Sequence, residues 1–365
     1  MRCRGLFGGL NGDTGKVDYP VDLIRTIAIV LVILLHASNE TLQMVTVPEG
    51  YWWTAVIYKT ISLSCVPIFV MLSGSLLLQP SKLNEPIRIF LKKRLSRIGL
   101  AFGFWTVVYL AWAFFISQQP LTWGNIGEAT LFAVFSGSYF HFWFLYLIIG
   151  LYLVTPILRA IICNGKWNVM RYLIMLWFFA VAVVPIIQLA GIYTFYNLVF
   201  LIIGWIGYFA LGAYLQRVNV RSIFLYGLLG LSFVWTIFGI WLMNYPLADM
   251  GKNNFFFDYL TANVILGSIA LFMLLIKIRP FNWPGRTHPT ATRIITVIGQ
   301  NTLPIFLLHV IILESLQRGF FGFTLSVNTL NPVLEIPLAT VITLFITVGL
   351  ILLMRKVPVL RKLIG

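Results

Sequence analysis

Long apolar runs of about 20 residues recur along this 365-residue chain and constrain its fold more than any other feature. A run of that length crosses a bilayer as a helix, since lipid offers no partner for backbone N–H and C=O groups. Only 10% of the residues are charged, against ~25% in a soluble domain. We therefore predict an all-α polytopic membrane protein, a bundle of about ten transmembrane helices near residues 21–39, 54–78, 98–117, 140–158, 169–189, 196–216, 222–243, 257–276, 294–313 and 332–354.

The basic residues indicate how these helices are oriented. The chain has 26 Lys and Arg against 11 Asp and Glu, a net charge of +15 that could suggest a nucleic-acid partner. Most of the basic residues cluster in alternate short loops, however, which is the positive-inside pattern of membrane proteins. We therefore predict no nucleic-acid partner and both termini in the cytoplasm, with a cytoplasmic segment 1–20, a transmembrane domain 21–356 and a cytoplasmic tail 357–365.

The first predicted span carries ionisable residues that lipid disfavours. Arg25 and His36 are eleven residues apart, so they share one helix face about 16 Å apart along the axis. Asp22 could pair with Arg25, and Glu40, four residues beyond His36, could orient the imidazole. Ionisable residues in a membrane cost at least ~2.5 kcal/mol each and usually mark a function, and an imidazole can exchange a proton near neutral pH. The alternative is a structural Asp–Arg pair and a histidine bonded to a backbone carbonyl.

A basic segment at residues 88–97 leads into the third predicted span. Arg94 and Arg97 are three residues apart on a helix, so both guanidinium groups reach one patch, and Lys93 lies beside them. Guanidinium groups bind phosphate oxygens in a bidentate manner. The alternative is membrane anchoring with attraction to anionic lipid.

Other polar and aromatic residues allow two interpretations each. His141 and Trp143 open the fourth predicted span, where they could belong to an interfacial aromatic belt or form a wall that binds a sugar. His309, near the outer end of the ninth span, could be a structural or a site histidine. Ser73 follows Pro67 in the second span, where a kink for close helix packing is the favoured interpretation.

Several kinds of chemistry are disfavoured by the sequence. It contains no P-loop, no Gly-x-Ser-x-Gly elbow and no His-Glu-x-x-His motif, and its three cysteines lack the spacing of metal ligands. We expect no bound metal. The residues alone leave open an enzyme with an intramembrane base, a secondary transporter or flippase for a lipid-linked sugar or small anion, and a non-catalytic assembly partner.

Taken in order, the motifs resemble the membrane-bound acyltransferase 3 family over residues 18–355. Each motif is moderately specific, whereas their order and spacing together are specific. The resemblance is carried by Asp22-x-x-Arg25 with His36, Val66-Pro67-x-Phe69 with Ser73-Gly74, Lys93-Arg94-x-x-Arg97, and the segments 141–156, 207–212 and 299–309.

The resemblance implies a membrane-embedded O-acyltransferase. Members move an acyl group, usually acetyl, from cytoplasmic acyl-CoA to a hydroxyl of a cell-surface polysaccharide or its lipid-linked precursor. The family's Arg and His of the first helix correspond to Arg25 and His36, and its paired arginines, thought to meet the CoA donor, correspond to Arg94 and Arg97. The acidic Trp-Ser-Leu-x-Glu-Glu segment of many members is absent, and 142–145 reads Phe-Trp-Phe-Leu, which is closer to the branch that acetylates enterobacterial common antigen.

We therefore expect a multi-pass protein of a bacterial or archaeal inner membrane, with acetyl-CoA as co-substrate, a glycan or lipid-linked sugar as acceptor, and membrane lipid around it. A homo-oligomer is compatible with this assignment. Arg25 would either orient His36 through Asp22 or stabilise the thioester oxyanion. The expected site residues are His36 as general base with Arg25 and Asp22 for catalysis, Arg94, Arg97, Lys93 and Ser73 for the donor, and Glu40, His141, Trp143 and His309 for the acceptor.

Overall fold

The computed structural model describes residues 20–44, 46–120, 122–164, 167–189, 198–247, 254–278 and 289–365. These residues form helices and loops without any strand, which confirms the all-α prediction for the described part of the chain. The helices are α1 Val21–Gln43, α2 Glu49–Ser62, α3 Cys65–Leu77, α4 Ile87–Ser117, α5 Trp123–Ser136, α6 Trp143–Cys163, α7 Trp167–Leu189, α8 Leu198–Tyr214, α9 Ser222–Asn244, α10 Ala262–Ile276, α11 Pro289–Gln300, α12 Thr302–Gln317, α13 Pro332–Met354 and α14 Pro358–Leu363.

Apolar helices long enough to cross a membrane dominate the fold. Seven segments of the described chain qualify, and the bent pair α11 and α12 makes an eighth if it crosses as one unit. The chain is therefore a polytopic membrane protein. Described helices overlap each of the ten predicted spans, but two of these helices are not among the qualifying segments: the described apolar part of α7 is Trp167–Val181, and α8 has 17 residues. The count of ten and the cytoplasmic position of both termini stay predictions.

Two of the predicted spans are broken rather than continuous. The span predicted at 54–78 consists of α2 and α3, which are separated at Leu63 and Ser64. Pro67 explains this break, because it has no N–H to donate to the carbonyl of Leu63. The helix is therefore interrupted just before the proline, and the kink itself stays a prediction.

The span predicted at 294–313 differs more from expectation, because α11 and α12 meet at an angle of 84°. Pro304 cannot donate to the carbonyl four residues earlier, which removes a hydrogen bond where the two helices meet. The side chains of Asn301 and Thr302 bond to the carbonyls of Val297 and Gly299, at 2.7 Å each, and so compete with helix continuation. The chain therefore turns sharply at Asn301, between the end of α11 and the start of α12.

The helix α1 occupies the centre of the bundle, packed against α2, α3, α11, α12 and α13. Its contact with α11 is especially close. The Thr26 hydroxyl donates to the carbonyl of Ile295 at 3.0 Å, and a Cβ added at Gly299 would lie 2.6 Å from the carbonyl oxygen of Asp22. The helix with the ionisable residues is thereby fixed against the bend.

A second close crossing joins α3 to α8 through small residues. A Cβ added at Gly74 would lie 1.8 Å from the carbonyl oxygen of Phe209, and one added at Gly212 would lie 1.8 Å from that of Met71. Glycines at such positions let helix backbones approach in a membrane, where apolar burial drives association weakly. This crossing holds α3, which carries Ser73, in place.

Candidate functional site

A cavity of about 310 Å³ lies beside α1 and brings three arginines together. Arg25 comes from α1, and Arg94 and Arg97 come from α4, one turn apart. Ser73 of α3 also lines this arginine cavity, whereas Lys93 is exposed and lies outside its described lining. Three of the four residues expected to bind a donor therefore share one cavity, and Arg25 joins them.

The remaining walls of the arginine cavity are largely apolar. The bend between α11 and α12 supplies one wall, including Gln300 and Leu303. Phe69, Phe144 and Phe306 line it as well. A cavity with cationic groups and long apolar walls fits a ligand that has an anionic head and a thin, weakly polar arm.

Positive charge around the arginine cavity is poorly compensated. The Arg25 guanidinium lies 3.7 Å from the Asp22 carboxylate, and the side chains are 37% and 31% exposed, so this pair is weak. Arg94 donates a hydrogen bond to the Tyr152 hydroxyl, which is neutral. The cavity therefore keeps the excess positive charge that an anion requires.

Two basic groups outside the described lining of the cavity also feel the charge of its arginines. Burial lowers the pKa of Lys82, and the charge of Arg94 lowers it further. Burial also lowers the pKa of Arg355, with smaller contributions from Arg361 and Arg97. Burial is the larger cause of both shifts, and the neighbouring arginines act in the same direction.

Three of the chain's four histidines meet deeper in the bundle. The ring centroids of His36 and His309 are 5.2 Å apart, and those of His141 and His309 are 5.8 Å apart. They come from α1, from the 3₁₀ turn before α6 and from α12, respectively. The sequence singled out each of the three but gave no sign that they form one histidine cluster.

The histidine cluster has unused hydrogen-bonding capacity. His309 bonds through Nδ1 to the carbonyl of Phe306 at 2.7 Å, so this nitrogen carries the proton in a neutral ring and Nε2 is an acceptor. That Nε2, the Nδ1 of His36 and both ring nitrogens of His141 are buried without a partner among the described residues. Buried polar atoms are rarely left unpaired, so a ligand or water is expected there.

Phe306 connects the arginine cavity to the histidine cluster. It lines the cavity, and its ring centroid lies 5.5 Å from that of His141 and 5.8 Å from that of His309. The ring of Phe144, another lining residue, is 5.0 Å away from that of Phe306. The two sites are therefore neighbours separated by one layer of aromatic rings.

An outer hydrogen-bond network positions the loop that carries His141. Glu314 of α12 accepts from the Tyr139 hydroxyl at 2.5 Å and from the Trp112 indole at 2.8 Å. Burial raises the pKa of Tyr139, as does its bond to Glu314, so the phenol stays a donor. The Tyr109 hydroxyl donates to the carbonyl of Leu307 at 2.7 Å, and its ring packs 4.9 Å from that of His141.

The other expected site residues lie at the edges of this arrangement. Glu40, one turn beyond His36, accepts a hydrogen bond from Gln317, and its Oε2 has no described partner. Trp143 instead packs against Trp205 at 5.5 Å, on another side of α6. Asp22 precedes Arg25 on α1, whereas His36 follows it, so Asp22 lies away from the histidine cluster and does not reach His36.

The sequence reasoning did not select several residues of the site. Tyr152 and Phe306 line the arginine cavity but look like ordinary aromatic residues of apolar spans. Glu335 lies in the first turn of α13, fully buried, and both of its carboxylate oxygens lack a described partner. The rule that singled out Asp22, a charge within an apolar run, applies equally to Glu335 and could have found it.

These groups together offer a definite set of chemical functions. Guanidinium groups can hold an anion at one end, apolar walls can shield a reactive arm, and imidazoles at the other end can exchange a proton. Each function comes from a different part of the chain, and the bundle aligns them along α1.

Comparison with known proteins adds one finding. A family model described as an acyltransferase domain matches residues 18–352, nearly the whole chain. The searches of curated proteins and of solved structures found no match to this chain.

Proposed function

Because the chain belongs to the acyltransferase 3 family, we propose that it transfers an acyl group, expected to be acetyl, from cytoplasmic acyl-CoA to a hydroxyl of a cell-surface polysaccharide or its lipid-linked precursor. The observation that carries this proposal is the adjacency of the arginine cavity and the histidine cluster. The arginine cavity suits an anionic donor, and the histidine cluster suits proton transfer at the reacting carbonyl. Assignment to the enterobacterial common antigen branch stays a prediction.

Acyl-CoA fits the arginine cavity by its chemistry. Its phosphates would meet Arg94, Arg97 and Arg25, which bind phosphate oxygens through bidentate hydrogen bonds. Its long, thin arm would run along the apolar walls towards Phe306. The thioester would then lie beside the histidine cluster.

His36 serves as the general base in this proposal. The acceptor oxygen attacks the thioester carbonyl carbon while its proton passes to the imidazole. The new C–O bond forms, the C–S bond breaks, and the departing thiolate takes the proton back from the imidazolium. The products are an ester and free CoA thiol, and the enzyme returns to its starting state.

His141 is the proposed donor to the developing oxyanion. A neutral imidazole carries one N–H, and neither ring nitrogen of His141 has a described partner at 1% exposure. An N–H held in a dry site is worth most when it faces charge that develops in the transition state. This leaves Arg25 to bind the donor.

Two sets of variants separate donor binding from acyl transfer. We expect His36→Ala to lower transfer about 10²–10⁴-fold while it keeps the affinity for acetyl-CoA, because the base acts after binding. We expect Arg94→Gln with Arg97→Gln to weaken acetyl-CoA binding by at least about tenfold, since each charge-assisted bond contributes ~1.5–3 kcal/mol. The measurements are acetyl-CoA affinity and acceptor-dependent thiol release by purified protein in nanodiscs.

Lys92→Gln is the matched control, because Lys92 is an exposed basic residue on the same helix, outside the described cavity lining. It should change neither quantity. Turnover retained in His36→Ala would remove the base assignment. Uptake of a lipid-linked sugar into vesicles without thioester cleavage would favour a transporter instead.

A further inference from the structure

A pair of glutamates beyond the histidine cluster has no role in the chemistry described so far. Glu335 is 0% exposed, and neither of its carboxylate oxygens has a partner among the described residues. Glu40 lies within electrostatic range of it, across the contact between α1 and α13, and also has one unpartnered oxygen. Three carboxylate oxygens at this point therefore await hydrogen-bond donors.

Glu335 has no evident structural task. An acidic residue in the first turn commonly favours a helix through the macrodipole. The side chain of Asn331 already caps α13, since its Oδ1 accepts from the N–H of Val333 at 2.9 Å. A carboxylate buried without a partner destabilises a protein by several kcal/mol, so stability alone gives no reason for this one.

The histidine cluster supplies an independent sign that a ligand occupies this region. His36 lies one turn from Glu40 on the same face of α1, so their Cβ atoms are ~5–6 Å apart. The fully buried His141 and His309 also have ring nitrogens without a described partner, and the ring centroid of His309 lies 5.2 Å from that of His36 and 5.8 Å from that of His141. Unpaired polar atoms thus continue from the glutamates to the imidazoles.

An exposed aromatic ring lies beside His36. Phe140 is 57% exposed, and its ring lies 5.1 Å from that of His36. His36 and Glu40 are half-buried, whereas Glu335 is fully buried. Exposure therefore falls from Phe140 to Glu335, and a ligand that entered beside Phe140 would meet His36 and Glu40 first.

The ligand must donate several hydrogen bonds and present an apolar face. A pyranose ring does both, because hydroxyls surround its edge and C–H groups cover its faces. A metal cation fits less well, since the described residues contain no group of three or more His, Cys, Asp or Glu side chains placed to hold one. A single sugar ring also matches the short distance between Glu40 and His36.

Building on the proposed acyl transfer, we propose that Glu335 and Glu40 form the acceptor subsite, binding hydroxyls of one pyranose ring so that another hydroxyl of that ring faces His36. The two glutamates thereby select which hydroxyl is acylated. Binding of the sugar needs no acyl-CoA, which makes it testable separately from transfer.

The test measures binding of methyl pyranosides to the full-length protein in nanodiscs without acyl-CoA. The probes are the methyl glycosides of glucose, galactose, mannose, rhamnose and N-acetylglucosamine, with each singly deoxygenated form of the tightest one. We expect Glu335→Gln and Glu40→Gln each to weaken binding about tenfold or more, as loss of a charge-assisted hydrogen bond does. Glu49→Gln, the control, should bind like wild type, because Glu49 is an exposed outer carboxylate bonded to Tyr245.

The deoxy sugars identify the contact itself. The analogue without the hydroxyl that meets Glu335 should bind about tenfold more weakly to wild type, with no further loss in Glu335→Gln. The proposal is overturned if, for every analogue, the loss of affinity from the missing hydroxyl and the loss from Glu335→Gln multiply. It is also overturned if no pyranoside binds, or if sodium or ammonium binds instead in a way that depends on Glu335. If Glu335→Gln fails to fold, the same comparison of deoxy sugars is made with Glu40→Gln, because Glu40 is only half-buried.

The two proposals fail in different ways. Glu335-dependent sugar binding without thiol release from acetyl-CoA would support the acceptor subsite and contradict acyl transfer. Thiol release with unchanged sugar affinity in both glutamate variants would support acyl transfer and overturn the acceptor subsite.

Discussion

The guanidinium of Arg25 faces Arg94 and Arg97 across the arginine cavity, and its ion-pair partner in the described chain is Asp22. Asp22 lies on the far side of Arg25 from His36, about 21 Å from it along the helix axis. A carboxylate at that distance cannot orient the imidazole. Orientation of His36 through Asp22 is therefore disfavoured as the role of Arg25, whereas stabilisation of the thioester oxyanion, the other role foreseen, stays a prediction. The position of Arg25 in the arginine cavity favours contact with the donor instead.

This argument predicts different outcomes for the two members of the pair. Asp22→Asn should keep transfer within about threefold of wild type, because a half-exposed pair at 3.7 Å contributes only ~0–1 kcal/mol. Arg25→Gln should weaken acetyl-CoA binding about tenfold, since the phosphates lose a charged donor. Acetyl-CoA affinity and turnover are measured on the same samples.

The pH profile of turnover gives the deciding comparison for Arg25. If Arg25 acts on the donor, Arg25→Gln leaves the profile unchanged in shape while affinity falls. A profile that moves in both Asp22→Asn and Arg25→Gln, with acetyl-CoA affinity unaltered, would restore the role of the pair in orienting His36.

At the scale of the helices, the bend between α11 and α12 builds one wall of the arginine cavity. Its position depends on the close approach of Gly299 to the backbone of Asp22. Because backbone atoms cannot move aside as flexible side chains can, any side chain at Gly299 must push α11 away from α1. The cavity and the central helix are thus coupled at one residue.

Gly299→Ala should therefore affect both stability and donor binding. The added Cβ would lie 2.6 Å from a backbone oxygen, and such overpacking typically costs ~1–3 kcal/mol. We expect a lower thermal midpoint and weaker acetyl-CoA binding. Gly227→Ala on α9 is the control, since an added Cβ meets nothing within 4 Å and should be neutral or stabilising by ~0.5–1 kcal/mol. Equal behaviour of the two variants would contradict the coupling.

Helix content and the cationic patch could be predicted from sequence because both depend on local patterns. Apolar runs predict helices in lipid, and the spacing of Arg94 and Arg97 places them on one patch without any tertiary information. The interruption before Pro67 depends on a local pattern as well. The break at Asn301 was not, because it depends on two side chains that compete for carbonyls and on a following proline.

The meeting of the three histidines, and of Glu335 with Glu40, could not be predicted from local patterns. His36, His141 and His309 come from three separate elements, and a single sequence does not say which helix faces meet. Glu335 was not among the expected site residues, although it is fully buried within α13. Trp143, two residues after His141, packs against Trp205, and its role in acceptor binding stays a prediction.

At the scale of the whole molecule, the site extends along most of α1. Arg25 is near one end of the helix and Glu40 near the other, and their separation of fifteen positions spans about 22 Å of the ~30 Å hydrocarbon layer. A donor at the Arg25 end and an acceptor at the Glu40 end would approach from opposite sides of the membrane. The orientation of the bundle therefore decides which compartment supplies acyl-CoA.

The charge distribution predicts that the Arg25 end faces the cytoplasm. Lys92→Cys, in a background without the native cysteines, should react with a membrane-impermeant maleimide in inverted vesicles but not in intact cells. Gln119→Cys, which follows α4 at its other end and is exposed, should show the reverse. Acetyl-CoA should accordingly support thiol release when added to inverted vesicles and not to intact right-side-out vesicles. Labelling of Lys92→Cys in intact cells would reverse the bundle, and cytoplasmic acyl-CoA could then no longer reach the arginine cavity directly.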